Sequence, residues 1–218
     1  MIKEIVVTAD GSHSIHLPEW NESYHSKHGA IQEAQHVFIK NGLDYFSDYE
    51  RLHILEIGFG TGLNAYITLL ESIKRNKSIE YCGVEAYPLI LSEVLSLNYA
   101  EVLGDYQTKD LFDEMHKQQW ESQVQLHQNF SLLKRKMLFQ DIDFINQFDL
   151  IYFDAFGYRV QPELWSVEIF KKMYDALRPR GVLVTYAART VIKKALLSVG
   201  FTVEILPGPP GKREMTRA

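Results

Sequence analysis

The chain has 218 residues, of which 46% are hydrophobic and 23% charged, and its formal net charge is -5; this is apolar material for one sizeable core and too little length for two comfortable ones. No apolar run approaches the roughly 20 residues of a membrane span and no charged-then-apolar leader is visible, which leads to the expectation of a soluble, cytoplasmic protein. The one cysteine, Cys82, lies in an apolar strand pattern, which excludes an internal disulfide framework and favours a packing role.

In chain order, residues 1–50 read as an N-terminal extension packed on a core of residues 51–218. The Asp10-Gly11 pair predicts a short hairpin, and Ile31, Ala34 and Phe38 share one face of a helix over residues 29–41 that stops at Asn41-Gly42. From residue 53 onward strand-like runs alternate with helical patterns, the signature of an α/β fold with an open, mostly parallel sheet covered on both faces. Strands are expected at residues 53–58, 79–84, 136–141, 148–154, 181–187 and 201–206, and helices at 62–75, 88–99, 162–178 and 189–199. Pro88 and Pro162 suit first helical turns, and Gly181 and Gly200 follow helix ends. Residues 105–120 read as a polar, half-exposed helix and 123–139 as a hairpin. The Pro207-Gly208-Pro209-Pro210-Gly211 loop interrupts regular structure, so residues 212–217 return as a strand beside 201–206.

The most informative stretch is Leu55-Glu56-Ile57-Gly58-Phe59-Gly60-Thr61-Gly62-Leu63-Asn64. Glycines between a strand and a helix allow a tight bend and close backbone approach, and the helix start presents free N–H groups to a ligand. A dinucleotide fingerprint needs glycine at position 63, where this chain has Leu63, which argues against NAD or FAD. An acid followed by three alternate glycines resembles motif I of the class I S-adenosylmethionine-dependent methyltransferases. Glu85, closing the next predicted strand, stands where that superfamily places the acid that holds the ribose hydroxyls. The resemblance implies a Rossmann-like fold with a seven-stranded, mostly parallel sheet whose last strand is antiparallel. It also implies S-adenosylmethionine as cofactor, held by Glu56, Gly58, Gly60, Gly62, Asn64, Glu85, Asp141 and Ile142, with Asp141 accepting from the adenine amino group.

Asp154 ends the predicted strand at 148–154 and opens Asp154-Ala155-Phe156-Gly157. Ligands of open parallel sheets bind beyond the carboxyl ends of the strands, so an acid there, followed by aromatics, is a candidate to orient an amine and take its proton. Phe156 and Tyr158 are candidates to shield the site and to face a positive sulfonium. Methyl transfer depends on in-line alignment more than on strong base catalysis.

Four further segments narrow the resemblance. These are Glu22-Ser23-Tyr24-His25-Ser26-Lys27-His28-Gly29-Ala30, His36-Val37-Phe38-Ile39, the Asp154 segment with Gln161-Pro162-Glu163-Leu164-Trp165, and Gly211-Lys212-Arg213-Glu214-Met215. In this order they are similar to the tRNA 5-aminomethyl-(2-thio)uridine methyltransferases, which occur alone or as the N-terminal half of a bifunctional enzyme. The resemblance covers nearly the whole chain. It implies methylation of the primary amine of 5-aminomethyl-uridine in the anticodon loop of tRNA, giving the 5-methylaminomethyl form. The FAD-dependent oxidase half of the bifunctional members is not in this chain, so the resemblance implies a functional link to a separate enzyme that generates the amine. Gly157-Tyr158 departs from the alanine and proline common in bifunctional members.

An exposed wobble base can be splayed into a pocket without opening a duplex. Tyr24, Phe156, Tyr158 and Trp165 are candidates to stack on it, and Trp165 reads equally well as core because Leu164, Ile169, Met173 and Leu177 share its face. Lys212 and Arg213, after the proline-glycine loop, are candidates for the RNA backbone or for closing the site. His25, His28 and His36 lack nearby cysteine and fail as a metal site, so no metal is expected. The absence of a G-x-S-x-G elbow and of a Walker phosphate loop removes common hydrolase and NTPase readings. Two alternatives remain: an aminopropyltransferase-like enzyme of the same fold, and a non-catalytic cofactor- or RNA-binding protein.

Overall fold

The structure, a computed structural model, describes residues 2–104 and 108–218. Strands β1 (Glu4–Val7) and β2 (His13–Leu17) form the antiparallel hairpin expected at Asp10-Gly11, and β3 (Glu22–Ser23) pairs with β2. The Asp10 carboxylate fixes the turn by accepting from Ser12 N at 3.0 Å and from the Thr8 hydroxyl at 2.8 Å. Helix α1 (Ala30–Ala34) continues through a wider π-helical turn, Gln35–Lys40, so the expected helix is present, with Ile31, Ala34, Val37 and Phe38 buried.

The core then runs β4 (Arg51–Ile57), α2 (Leu63–Arg75), β5 (Ser78–Glu85), α3 (Leu91–Val94), α4 (Tyr99–Val102), α5 (Lys109–Lys117), β6 (Gln123–His127), β7 (Phe130–Lys136), β8 (Phe148–Phe153), α6 (Val167–Ala176), β9 (Leu177–Thr185), α7 (Thr190–Ser198), β10 (Glu204–Pro207) and β11 (Glu214–Arg217). The sheet order is β10-β11-β9-β8-β4-β5-β7-β6, with β9, β8, β4, β5 and β7 parallel and β11 antiparallel between β10 and β9. Side chains alternate across this sheet. Leu52 and Ile54 join the extension, α2 and α5 in one core, whereas Leu55 and Ile57 join α6 and α7 in the other. Cys82 is buried in the second core, and burial pushes its thiol up to about 12. Among the described residues no helix is long and apolar enough to cross a membrane.

Three elements depart from expectation. Among the described residues the sheet has eight strands rather than the expected seven, because β6 of the expected hairpin extends it beyond β7. The third parallel strand is Phe130–Lys136 rather than 136–141, and Phe139–Asp141 is a short 3-10 turn. The charged Lys134-Arg135-Lys136 triplet hid this: Lys134 is 2% exposed, covered by the Trp120 ring, with Nζ donating to the His116 carbonyl at 3.1 Å. The helix expected over 88–99 is only the short turns α3 and α4. Asn98 ties that segment to the N-terminal hairpin, accepting from His13 N at 2.7 Å and donating to the Gly11 carbonyl at 3.0 Å. The expected helix over 105–120 is present as α5; residues 105–107 lie outside the described residues.

Candidate functional site

Strand β4 sends its neighbours in opposite directions, toward β5 and β8, and the crevice of an open sheet opens at such a switch point. A cavity of about 790 Å³ lies there, a size ample for a nucleoside-sized ligand together with a second group. Its floor is the glycine loop after β4 and Asp154 after β8, and the extension contributes Trp20, Tyr24, His25 and Glu33 to its wall. All three loop glycines have positive φ. At Gly58 a Cβ would stand 2.6 Å from the Asp154 carbonyl, so only glycine allows the loop to lie against the Asp154 backbone.

Asp154 N donates to the Ile57 carbonyl at 2.9 Å. Its Oδ2 accepts from Asn64 Nδ2 at 2.9 Å, and the same amide donates to Glu56 Oε1 at 2.9 Å. One carboxamide on the first turn of α2 therefore bridges two acids. Burial pushes the Asp154 carboxyl up to about 7; the nearby Glu33 charge adds to the rise, and the Asn64 hydrogen bond and Lys212 oppose it. Burial also holds Glu56, fully excluded from solvent, well above the usual carboxylate range. Asn64 Oδ1 is buried with no hydrogen-bond partner among the described residues.

Glu85 ends β5 in the cavity, accepting from Gly60 N and Tyr87 N, each at 3.0 Å. Each carboxylate oxygen keeps acceptor capacity beyond these bonds. Tyr24 and Phe156 meet edge to face at 5.0 Å, and Trp20 meets Phe156 at 5.7 Å, which gives the cavity an aromatic side.

The structure thus gathers Glu85, Gly58, Gly60, Asn64, Asp154, Tyr24, Phe156 and Lys212 around one cavity, and it places other expected site residues elsewhere. Glu56 lies beneath the floor behind Asn64, and Gly62 turns away, packed on the His116 ring. Asp141 is exposed on the 3-10 turn and Ile142 is buried in the second core; the neighbouring Leu138, Phe139 and Gln140 line the cavity instead. The early end of β7 at Lys136 causes this shift. Trp165 is 1% exposed, donating Nε1 to the Phe156 carbonyl at 2.8 Å, and so holds the loop from the core side. Tyr158 lies under the Arg189 guanidinium, and the Arg213 side chain projects into solvent. Neither lines the cavity.

The three histidines separate. His25 bonds Ser14 Oγ at 3.1 Å and Thr61 Oγ1 at 3.3 Å, His28 lies against Gly211, and His36 Nε2 donates to the Pro207 carbonyl at 2.8 Å. Burial lowers His25 to about 4, so the neutral ring fastens the extension to the glycine loop. Among the described residues no group of His, Cys, Asp and Glu is arranged to hold a metal. Sequence reasoning missed Glu33 and Tyr186 as cavity residues; neither stands in a motif, and only the fold brings them beside Asp154.

A family model described as S-adenosyl-L-methionine-dependent methyltransferase matches residues 105–218. The bifunctional tRNA 5-methylaminomethyl-2-thiouridine biosynthesis protein MnmC of Cupriavidus metallidurans is 27% identical over 228 residues, covering 99% of this chain and 33% of that protein. Its counterpart from Marinomonas sp. is 28% identical, covering 92% of this chain and 32% of that protein. The chain therefore spans about a third of the length of these relatives. The crystal structure of MNMC2 from Aquifex aeolicus superposes with a TM-score of 0.81 at 24% identity, covering all of this chain and 69% of that one. Spermidine synthase from Thermotoga maritima superposes at 0.58 with 14% identity, covering all of this chain and 71% of that one. Both likenesses bear on the fold.

Proposed function

Because this chain belongs to the S-adenosyl-L-methionine-dependent methyltransferase family, we propose that it methylates the primary amine of 5-aminomethyl-(2-thio)uridine at the tRNA wobble position, giving the 5-methylaminomethyl form. The observation that carries this reading is Asp154: a carboxyl beside the glycine loop, hydrogen-bonded to Asn64 and pushed up to about 7 by burial. The relatives, named for biosynthesis of the methylated nucleoside, support the choice of acceptor.

The cavity residues fit the cofactor. Glu85 presents acceptors at a strand end, and Gly58 and Gly60 present backbone. When bound, S-adenosylmethionine supplies an electrophilic methyl group on a sulfonium. Asp154 orients the acceptor amine and takes the proton that the nitrogen must lose, a transfer suited to a carboxyl whose pKa lies near neutrality. Tyr24 and Phe156 present ring faces and edges to a base and exclude water.

The test is incubation of the purified protein with S-adenosylmethionine and tRNA bearing 5-aminomethyl-uridine, followed by mass spectrometry of the nucleosides. Gain of one methyl on that nucleoside is expected. No gain, with cofactor binding intact, would overturn the acceptor assignment, and transfer of an aminopropyl group from decarboxylated cofactor would replace it with the polyamine reading.

A further inference from the structure

Three cavity residues from distant parts of the chain meet, two of them around the cation of the third. Glu33 comes from α1, Tyr186 follows β9, and Lys212 stands in the loop between β10 and β11. The Lys212 ammonium is ion-paired with Glu33 Oε1, and its Nζ lies 3.8 Å from the centroid of the Tyr186 ring. The box itself is fixed. Glu33 is 8% exposed and its second oxygen accepts from Ser26 N at 2.9 Å, while the Tyr186 hydroxyl donates to the Ala155 carbonyl at 2.8 Å, one residue from Asp154.

A carboxylate and an aromatic face are the two groups that together hold an organic ammonium. In this cavity they hold the protein's own primary amine, and the charges of both Glu33 and Lys212 reach Asp154. Lys212 is the movable member, because its ammonium rides on a flexible four-carbon stem, whereas Glu33 and Tyr186 are tied to backbone. The neighbouring Arg213, 94% exposed, shows where a side chain of this loop points when it faces solvent; Lys212 turns inward.

We propose that the Glu33 carboxylate and Tyr186 ring form the docking subsite for the acceptor's primary ammonium, and that Lys212 is an internal stand-in which the acceptor displaces. The proposal rests on the reading of this chain as an amine methyltransferase. Exchange of one ammonium for another leaves the charge of the cavity unchanged, so neither state strands Glu33 as a buried, unpaired carboxylate. It also delivers the acceptor nitrogen beside Asp154, which then receives its proton.

The test is the reactivity of Lys212 toward brief, limiting acetic anhydride, read by peptide mass spectrometry with S-adenosylhomocysteine present to prevent turnover. The protein is compared with tRNA bearing 5-aminomethyl-uridine and with the same tRNA bearing uridine at that position, so that only the amine differs. Displacement predicts at least a fivefold rise in Lys212 acetylation with the amine-bearing tRNA over the uridine tRNA, with other lysines equal. Glu33→Gln should show high Lys212 labelling with either tRNA. Equal labelling, or protection of Lys212 by both tRNAs as a phosphate clamp would give, overturns the proposal. Methyl transfer measured on the same preparation separates the two failures. Transfer without a labelling difference removes the stand-in and leaves the function; a labelling difference without transfer keeps the ammonium box and removes the assigned reaction.

Discussion

Asn64 satisfies two buried acids with one carboxamide, and the consequences are specific to that residue. Removing its N–H groups by Asn64→Leu strands Glu56 Oε1 and Asp154 Oδ2 together, at a cost on the order of 3 kcal/mol in urea unfolding. The same hydrogen bond lowers the Asp154 pKa, so its loss moves Asp154 further up. Methyl transfer uses the carboxylate form, so the parent rate should rise with pH through about 7, and the variant's midpoint should lie higher; a pH–rate profile under single-turnover conditions reads both. Asp154→Asn keeps the shape and the hydrogen-bonding capacity but cannot take a proton. Transfer should fall by about 10²–10⁴ while S-adenosylmethionine affinity by calorimetry stays within about threefold of the parent. Asp154 was legible because it ends an apolar strand, and Glu85 for the same reason. Glu33 and Tyr186 were not, since a helix glutamate and a tyrosine after a strand look ordinary until the extension and β9 are brought together.

At the scale of elements, the loop after β4 is shaped by a residue on the next strand. Gly83 lies within β5, and a Cβ there would stand 2.3 Å from Phe59 Cδ2, in the middle of the glycine loop. Gly83→Ala must therefore push the Phe59 ring and the loop with it, an overpacking cost of about 1–3 kcal/mol. Urea unfolding should show that loss, and cofactor affinity should fall with it; unchanged affinity would mean that Phe59 moves independently of Gly58 and Gly60. Strands β4, β5 and β8 and helix α2 were readable from alternation and glycine punctuation, because burial on both sheet faces writes continuous apolar runs. Strand β7 was misplaced because its Lys134 is a core residue in disguise, its stem buried and its ammonium satisfied by a carbonyl. The 88–99 helix failed because Asn98 gains two hydrogen bonds to the N-terminal hairpin, a tertiary contact that overrides local propensity.

For the molecule as a whole, the extension is part of the cavity rather than an appendage, and its attachment has a titration signature. The hairpin was legible, but the His25 contacts that fasten the extension to Thr61 were not, since they join residues 36 positions apart. Two residues of the cavity, His25 and Asp154, respond to pH with opposite sign. Asp154, ordinarily 3.8, is raised to about 7; between those values the folded protein holds a proton the unfolded chain has lost, so its contribution to stability falls as pH rises. His25, ordinarily 6.5, is lowered to about 4; between those values the unfolded chain binds a proton the folded protein refuses, so its contribution falls as pH falls. In the shared window the two offset each other. Differences between variants and parent isolate each term: Asp154→Asn should gain stability over the parent as pH rises from 4 to 7 and then level. His25→Asn should gain over its own pH 7 difference as pH falls from 6.5 toward 4. Each slope approaches about 1.4 kcal/mol per pH unit for a full proton. Urea midpoints at half-unit pH steps measure both; a His25→Asn difference that is flat with pH would mean that folding leaves the ring's proton affinity unchanged, and one that falls as pH falls would mean that the folded protein holds the ring protonated, so that charge rather than a neutral hydrogen bond fastens the extension.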